Sequence, residues 1–122
     1  MIQEQTKLKV IDNSGGKIVK CIKVLKGTNK KIAKLGELIK VVVKDCIYNS
    51  KIKKGQVLNA VVSRTKFFSK RSDGSYLSFN ENSVILLNNN FQIIGTRVIG
   101  IVSKEIKNFF LNKSINFSNE LI

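Results

Sequence analysis

From its start to about residue 90 this chain is a run of short strand-like stretches separated by clusters of Gly, Asn and Lys, with no long helical period among them. Such punctuation fits a barrel or a sandwich. Leu8 and Val10 alternate with Lys7 and Lys9, and Ile39, Val41 and Val43 alternate with Lys40, Val42 and Lys44, the period of a strand packed on one side. Residues 56–64 form another core strand around Val57, Leu58, Ala60, Val61 and Val62, and residues 84–87 a buried one. In residues 17–25, Ile18, Val19, Ile22 and Val24 are expected to pack while Lys17, Lys20 and Lys23 face water or phosphate.

Turn chemistry separates these stretches. Asp12-Asn13-Ser14-Gly15-Gly16 combines residues that tolerate positive φ with side chains that bond their own backbone, and Asp73-Gly74 signals a hairpin between 66–71 and 76–79. Gly27-Thr28-Asn29-Lys30-Lys31 reads as the tip of a projecting hairpin or loop, and Asn88-Asn89-Asn90 as a polar break. Past Ser103 the period changes. Ile106, Phe109 and Phe110, with Lys113 beyond, fit one face of a short helix that Ser103 would cap and Glu105 would favour from its first turn.

Charge narrows the partners. Twenty-two Lys and Arg against eight Asp and Glu leave +14 on 122 residues, a self-repulsion tolerable when a polyanion neutralises the surface. With no His, the commonest general base and metal ligand are missing, and the few carboxylates form no evident dyad. The sequence therefore predicts no catalytic residue, no metal, no cofactor and no small-molecule substrate. Cys21 and Cys46 sit in apolar runs and read as small buried hydrophobes. No apolar run approaches a membrane span, and the N-terminus has neither a signal core nor an Arg-rich presequence, so the chain reads as mature and without a membrane partner. Its length suits one domain, 1–122, with no repeat or linker.

Four constellations carry the basic charge. In Val62-Ser63-Arg64-Thr65-Lys66-Phe67-Phe68-Ser69-Lys70-Arg71, the cations Arg64, Lys66, Lys70 and Arg71 suit phosphates. Phe67 or Phe68 either stacks on an unpaired base or plugs the core. Lys51, Lys53 and Lys54 form a second cluster; Lys26, Lys30, Lys31 and Lys34 a third. Arg97, between Gly95 and Gly100, is a weaker fourth. Arg is rare here, three residues against nineteen Lys, which singles out Arg64, Arg71 and Arg97 for bidentate contacts.

Met1-Ile2-Gln3, Asp12-Asn13-Ser14-Gly15, Cys21-Ile22-Lys23-Val24-Leu25, Lys53-Lys54-Gly55, Ala60-Val61-Val62, Arg64-Thr65, Asp73-Gly74-Ser75 and Gly95-Thr96-Arg97 stand in one order along nearly the whole chain. In that order the chain resembles the family of the fourteenth protein of the large ribosomal subunit, bacterial type. Its signature is read at Ala60-Val61-Val62, Asp73-Gly74, Phe79, Asn82 and Ile85-Leu86. Departures are Ser63 and Ile85 for Val, Ile93 for Pro, and a C-terminus lacking the usual Ala-Pro.

The resemblance implies a mainly β fold: a small closed five-stranded β-barrel to about residue 100, a projecting β-hairpin, and a short C-terminal helical segment over about 103–122. It implies a structural constituent of the large subunit near the factor-binding region. Large-subunit rRNA would be met by Lys17, Lys20, Lys23, Lys30, Lys31, Lys44, Lys51, Lys53, Lys54, Arg64, Thr65, Lys66, Lys70 and Arg71. A neighbouring large-subunit protein, small-subunit rRNA across the subunit interface and a ribosome-silencing factor are the further partners implied. Thr96, Arg97, Lys104, Lys107 and Lys113 would serve the intersubunit and factor-docking face, and Asn116 stands where the family has a contacting Ser.

Two other classes share part of the signal. A free single-stranded nucleic-acid binder would array aromatics on one sheet face and work away from ribosomes. A nuclease would need the acid/base or metal site that the composition withholds. Abundant Lys, Ile and Asn with two Ala and no Pro indicate AT-rich coding. This tilts the compartment toward a mitochondrial matrix, with a plastid or the cytoplasm of an AT-rich bacterium as alternatives.

Overall fold

A computed structural model describes residues 2–25, 31–95, 97–98, 100–103, 106 and 116–117. Five strands close a barrel: β1 (Lys7–Val10), β2 (Gly16–Val24), β3 (Leu38–Cys46), β4 (Val57–Arg64) and β7 (Ser83–Leu87). Neighbours are antiparallel except where β1 closes on β7 in parallel, with Lys9 opposite Ser83 and Val10 opposite Val84. Between β4 and β7 stands a two-stranded hairpin, β5 (Ser69–Lys70) and β6 (Tyr76–Leu77). A second small pair, β8 (Arg97–Val98) and β9 (Asn116–Phe117), is parallel.

Period-two patterning fills the barrel. Leu8, Val10, Val19, Cys21, Ile39, Val41, Val43, Leu58, Ala60, Val62, Val84 and Leu86 form one buried cluster. Ala33 and Leu35, from the β2–β3 connection, join that cluster at one end, and Ile52, from the β3–β4 connection, at the other. Strands β4 and β7 are buried on both faces, because Val61, Ile85 and Leu87 turn outward onto Ile11, Val98, Val102 and Ile106. This second layer explains why residues 84–87 read as continuously apolar instead of alternating.

The expected alternation in β2 fails. Register shifts at Gly16/Ile18, Ile18/Val19 and Cys21/Lys23 reset which face each residue takes. Ile18 and Ile22 stay exposed, while Cys21 faces the core. Burial pushes the Cys21 thiol up to about 11, helped by the charge of Glu4, so it is an inert core atom as expected. Cys46 is only partly buried, packed against the same cluster.

The turns behave as their chemistry requires. Asp12 Oδ1 accepts the Ser14 hydroxyl at 2.5 Å and the Ser14 N–H at 3.3 Å. Gly15 follows at φ +106°, packed so tightly on Ser50 that a Cβ would collide with it. Asp73 Oδ1 accepts the N–H and hydroxyl of Ser75 at 2.9 and 2.6 Å around Gly74, which places the β5–β6 hairpin where Asp73-Gly74 predicted one. The tip expected at 27–31 lies outside the described residues apart from Lys31.

Of the helical segment expected over 103–122, Ile106 is helical and Asn116–Phe117 is strand, correcting the helical reading there. The remaining positions beyond Ser103 lie outside the described residues. Ser103 accepts the Ile106 N–H on its carbonyl at 3.3 Å, while its hydroxyl donates to the Ser63 carbonyl at 3.3 Å.

Candidate nucleic-acid interface

Strand register brings lysines together on the barrel's outer wall. Lys7 lies directly opposite Lys20 across β1 and β2, and Lys23 directly opposite Lys40 across β2 and β3. Lys17 and Lys44 are exposed near the far end of the same two strands. Like charges directly opposite one another destabilise a sheet. Lys7 and Lys40 were not singled out in the sequence: their alternation marked them as outward-facing, but which lysine each would meet depends on pairing across strands.

Antiparallel order then sorts the loops into two rims. The β1–β2 and β3–β4 connections share one end of the barrel. There Lys51, Lys53 and Lys54 are exposed beside Tyr48, which is 88% exposed. A groove of about 340 Å³ runs between Tyr48, Lys51, Gly15 and Gly95. At the opposite end, Lys34 from the β2–β3 connection and Lys70 of the hairpin line one cleft, Lys31 is exposed nearby in sequence, and the exposed Lys66 lines a groove with Lys7, Lys9 and Lys17. Phe67 and Phe68 are 56% and 63% exposed, and Tyr76 is 64% exposed. This exposure keeps Phe67 and Phe68 out of the buried core clusters.

Arg64 and Thr65 do not join this surface. The Arg64 side chain is 13% exposed; its Nη1 pairs with Glu81 Oε1 at 2.6 Å and its Nε donates to the Ile101 carbonyl at 2.6 Å. Thr65 is buried, its hydroxyl donating to the Phe67 carbonyl at 3.1 Å. The bidentate geometry of Arg64 thus serves the fold. Arg71 is partly buried at the hairpin turn. Lys30, Thr96, Lys104, Lys107 and Lys113 lie outside the described residues, and Arg97 is placed by its backbone in β8, beside Asn116 of β9.

Among the described residues, Asp12, Glu37, Asp73 and Glu81 each accept a hydrogen bond within the fold. Glu81 also meets Lys9 at 3.6 Å, and Glu37 Oε2 accepts the Lys34 N–H at 2.9 Å. Asp12 is buried, and burial raises its carboxyl above the usual range although Ser14 and the Leu86 N–H, at 3.2 Å, donate to it. Among the described residues no three His, Cys, Asp or Glu gather where they could hold a metal ion. No described helix is long and apolar enough to cross a membrane.

The arrangement is a close-packed barrel with lysines on one wall and both rims, suited to phosphates held in a fixed shape. Comparison with known proteins agrees with that chemistry. The family model described as ribosomal protein L14p/L23e matches residues 1–122. The large ribosomal subunit protein uL14 of Carsonella ruddii (strain PV) is 66% identical over 122 residues, covering 100% of both chains.

Proposed function

The chain belongs to the ribosomal protein L14p/L23e family, and on that premise we propose that it is a structural constituent of the large ribosomal subunit that holds folded large-subunit rRNA through its lysine wall and rims. The observation that carries this reading is the facing of Lys7 on Lys20 and of Lys23 on Lys40. Such pairs are unfavourable in the free protein and become favourable once phosphates lie between them. Lys17, Lys31, Lys44, Lys51, Lys53, Lys54, Lys66 and Lys70 extend the same contact from exposed positions. A-form RNA hides its major-groove edges, so the rigid spacing of these cations reads backbone shape and not sequence.

The intersubunit role rests on the sequence resemblance at Gly95-Thr96-Arg97 and Lys113. In it, Thr96, Arg97, Lys104, Lys107 and Lys113 serve small-subunit rRNA and a ribosome-silencing factor, and a neighbouring ribosomal protein is a further partner. Its full-length identity of 66% to a bacterial protein favours the cytoplasm of an AT-rich bacterium over a mitochondrial matrix.

The reading is tested by sedimenting gently lysed cells through a salt series. The chain should travel with large subunits at low salt. For the free protein and rRNA, engaging about 6 to 10 phosphates lowers affinity roughly 10³- to 10⁵-fold between 50 and 200 mM salt, by the scale set for DNA. A chain that stays at the top of the gradient at every salt concentration contradicts it.

A further inference from the structure

Contact between lysines and rRNA phosphates leaves unused a cleft of about 340 Å³ between the β5–β6 hairpin and the turn at 34–37, lined by Lys34, Glu37, Phe68, Lys70 and Tyr76, with Leu35, Thr65 and Ser69 between them. We propose that this cleft receives a single unstacked base of the rRNA, stacked by Phe68 and Tyr76, with Lys34 and Lys70 on the flanking phosphates. The inference rests on the rRNA-binding reading above.

The backbone of both walls is held before any ligand arrives. On one side, Glu37 Oε2 accepts the Lys34 N–H at 2.9 Å. The Gly36 N–H donates to the Val62 carbonyl at 2.8 Å, and the Val62 N–H to the Glu37 carbonyl at 3.0 Å. On the other, Lys70 pairs with Tyr76 across the hairpin, so a cation and an aromatic ring stand side by side at the mouth. The hairpin base is held by the Phe79 N–H on the Thr65 carbonyl at 3.0 Å, and by the Thr65 hydroxyl lying 3.4 Å from that of Ser69. A preformed slot loses little ordering entropy on binding.

Its chemistry selects a nucleotide. Phe68 and Tyr76 are 63% and 64% exposed, rings that no neighbouring part of the described fold covers fully. A purely apolar protein partner would use the rings but not the excess positive charge of Lys34 and Lys70 over the single carboxylate of Glu37. A nucleotide uses both, its base on the rings and its phosphates on the ammonium groups. The volume lies at the small end of pockets that enclose a planar ligand. Stacking tolerates every base, so the position of the unstacked nucleotide matters more than its identity.

The experiment uses cells carrying tagged wild-type or variant chains, with large subunits isolated and irradiated with short-wave ultraviolet light. Mass spectrometry should find a nucleotide adduct on Phe68 or Tyr76 in the wild type. Competed against untagged wild type, the Phe68→Ala/Tyr76→Ala pair should lose roughly 5- to 150-fold in occupancy, the scale of one stacked base. Phe68→Leu/Tyr76→Leu should lose occupancy on the same scale, because leucine keeps apolar area without a ring face, whereas Phe68→Tyr and Tyr76→Phe should stay near wild type. Leucine variants that match wild type indicate packing by another protein and overturn the cleft assignment. So does wild-type chain present in large subunits with no adduct at either ring, which leaves the rRNA reading standing. Wild-type chain absent from large subunits overturns both.

Discussion

Arg64 Nε donates to the backbone carbonyl of Ile101 at 2.6 Å, across 37 residues of chain. With the Glu81 pair on Nη1, this one guanidinium ties the end of β4 to the segment preceding β7 and to Ile101, whose neighbours Val98, Val102 and Ile106 cover β4 and β7. Gly100, at φ +86°, lies so close to the Arg64 guanidinium that a Cβ there would collide with it. The most informative arginine of a lysine-rich chain is therefore spent on holding the outer layer in place.

Arg64→Ala should accordingly act on stability. Removing a partly buried, charge-assisted pair of contacts should lower unfolding free energy by about 2 to 3 kcal/mol, read from the urea midpoint at unchanged slope. Arg64→Lys should not restore it, since an ammonium cannot reach two acceptors in a fork. An unaltered midpoint, with rRNA affinity reduced, would return Arg64 to the phosphate-binding set.

Lys40→Gln should do the opposite to the free protein. Relieving the repulsion from Lys23 opposite it should raise stability by ~0.2 to 1 kcal/mol, more at low salt than at high. The same variant should weaken rRNA binding and reduce the slope of log affinity against log salt by about one phosphate's worth. Thermal unfolding at two ionic strengths, beside filter binding, checks both halves. A variant that is less stable and binds unchanged would remove Lys40 from the interface.

Asp12 supplies a pH dependence. Its carboxyl is raised above the ordinary value of 3.8, burial outweighing the hydrogen bonds from Ser14 and Leu86. The folded protein thus holds this proton more tightly than the unfolded chain. The contribution to stability is full below 3.8 and is lost as pH rises through the folded-state value. Asp12→Asn does not titrate, so wild-type stability minus that of the variant should be greatest below pH 3.8 and fall toward neutrality. A difference that grows with pH would mean that the hydrogen bonds outweigh burial.

The barrel was legible because its strands keep a period of two and its turns carry Asp, Asn and Gly where backbone and side chain must close locally. Leu8, Ile39 and Val41 point inward as their alternation required. What the sequence hid was nonlocal. The bulges that expose Ile18 and Ile22 leave no local mark, since they arise from matching β2 against β3. Facing lysines appear only once the register is known. Arg64 is a related case: its internal partners, Glu81 and Ile101, are distant in sequence, so the sequence shows a cation among cations and not the contacts that hold it within the fold. Ser63, a departure from the family's Val, is satisfied by distant partners too, donating to the Ser83 carbonyl at 3.1 Å and accepting from Ser103 on its own carbonyl.

The most direct measurement is a cryo-EM map of the native large subunit in which lysine side chains and phosphates are resolved. The account expects phosphates within hydrogen-bonding reach of both facing pairs, Lys7 with Lys20 and Lys23 with Lys40, while Arg64 remains on Glu81 and Ile101. A map that leaves that wall open to solvent and carries the rRNA on another face contradicts it.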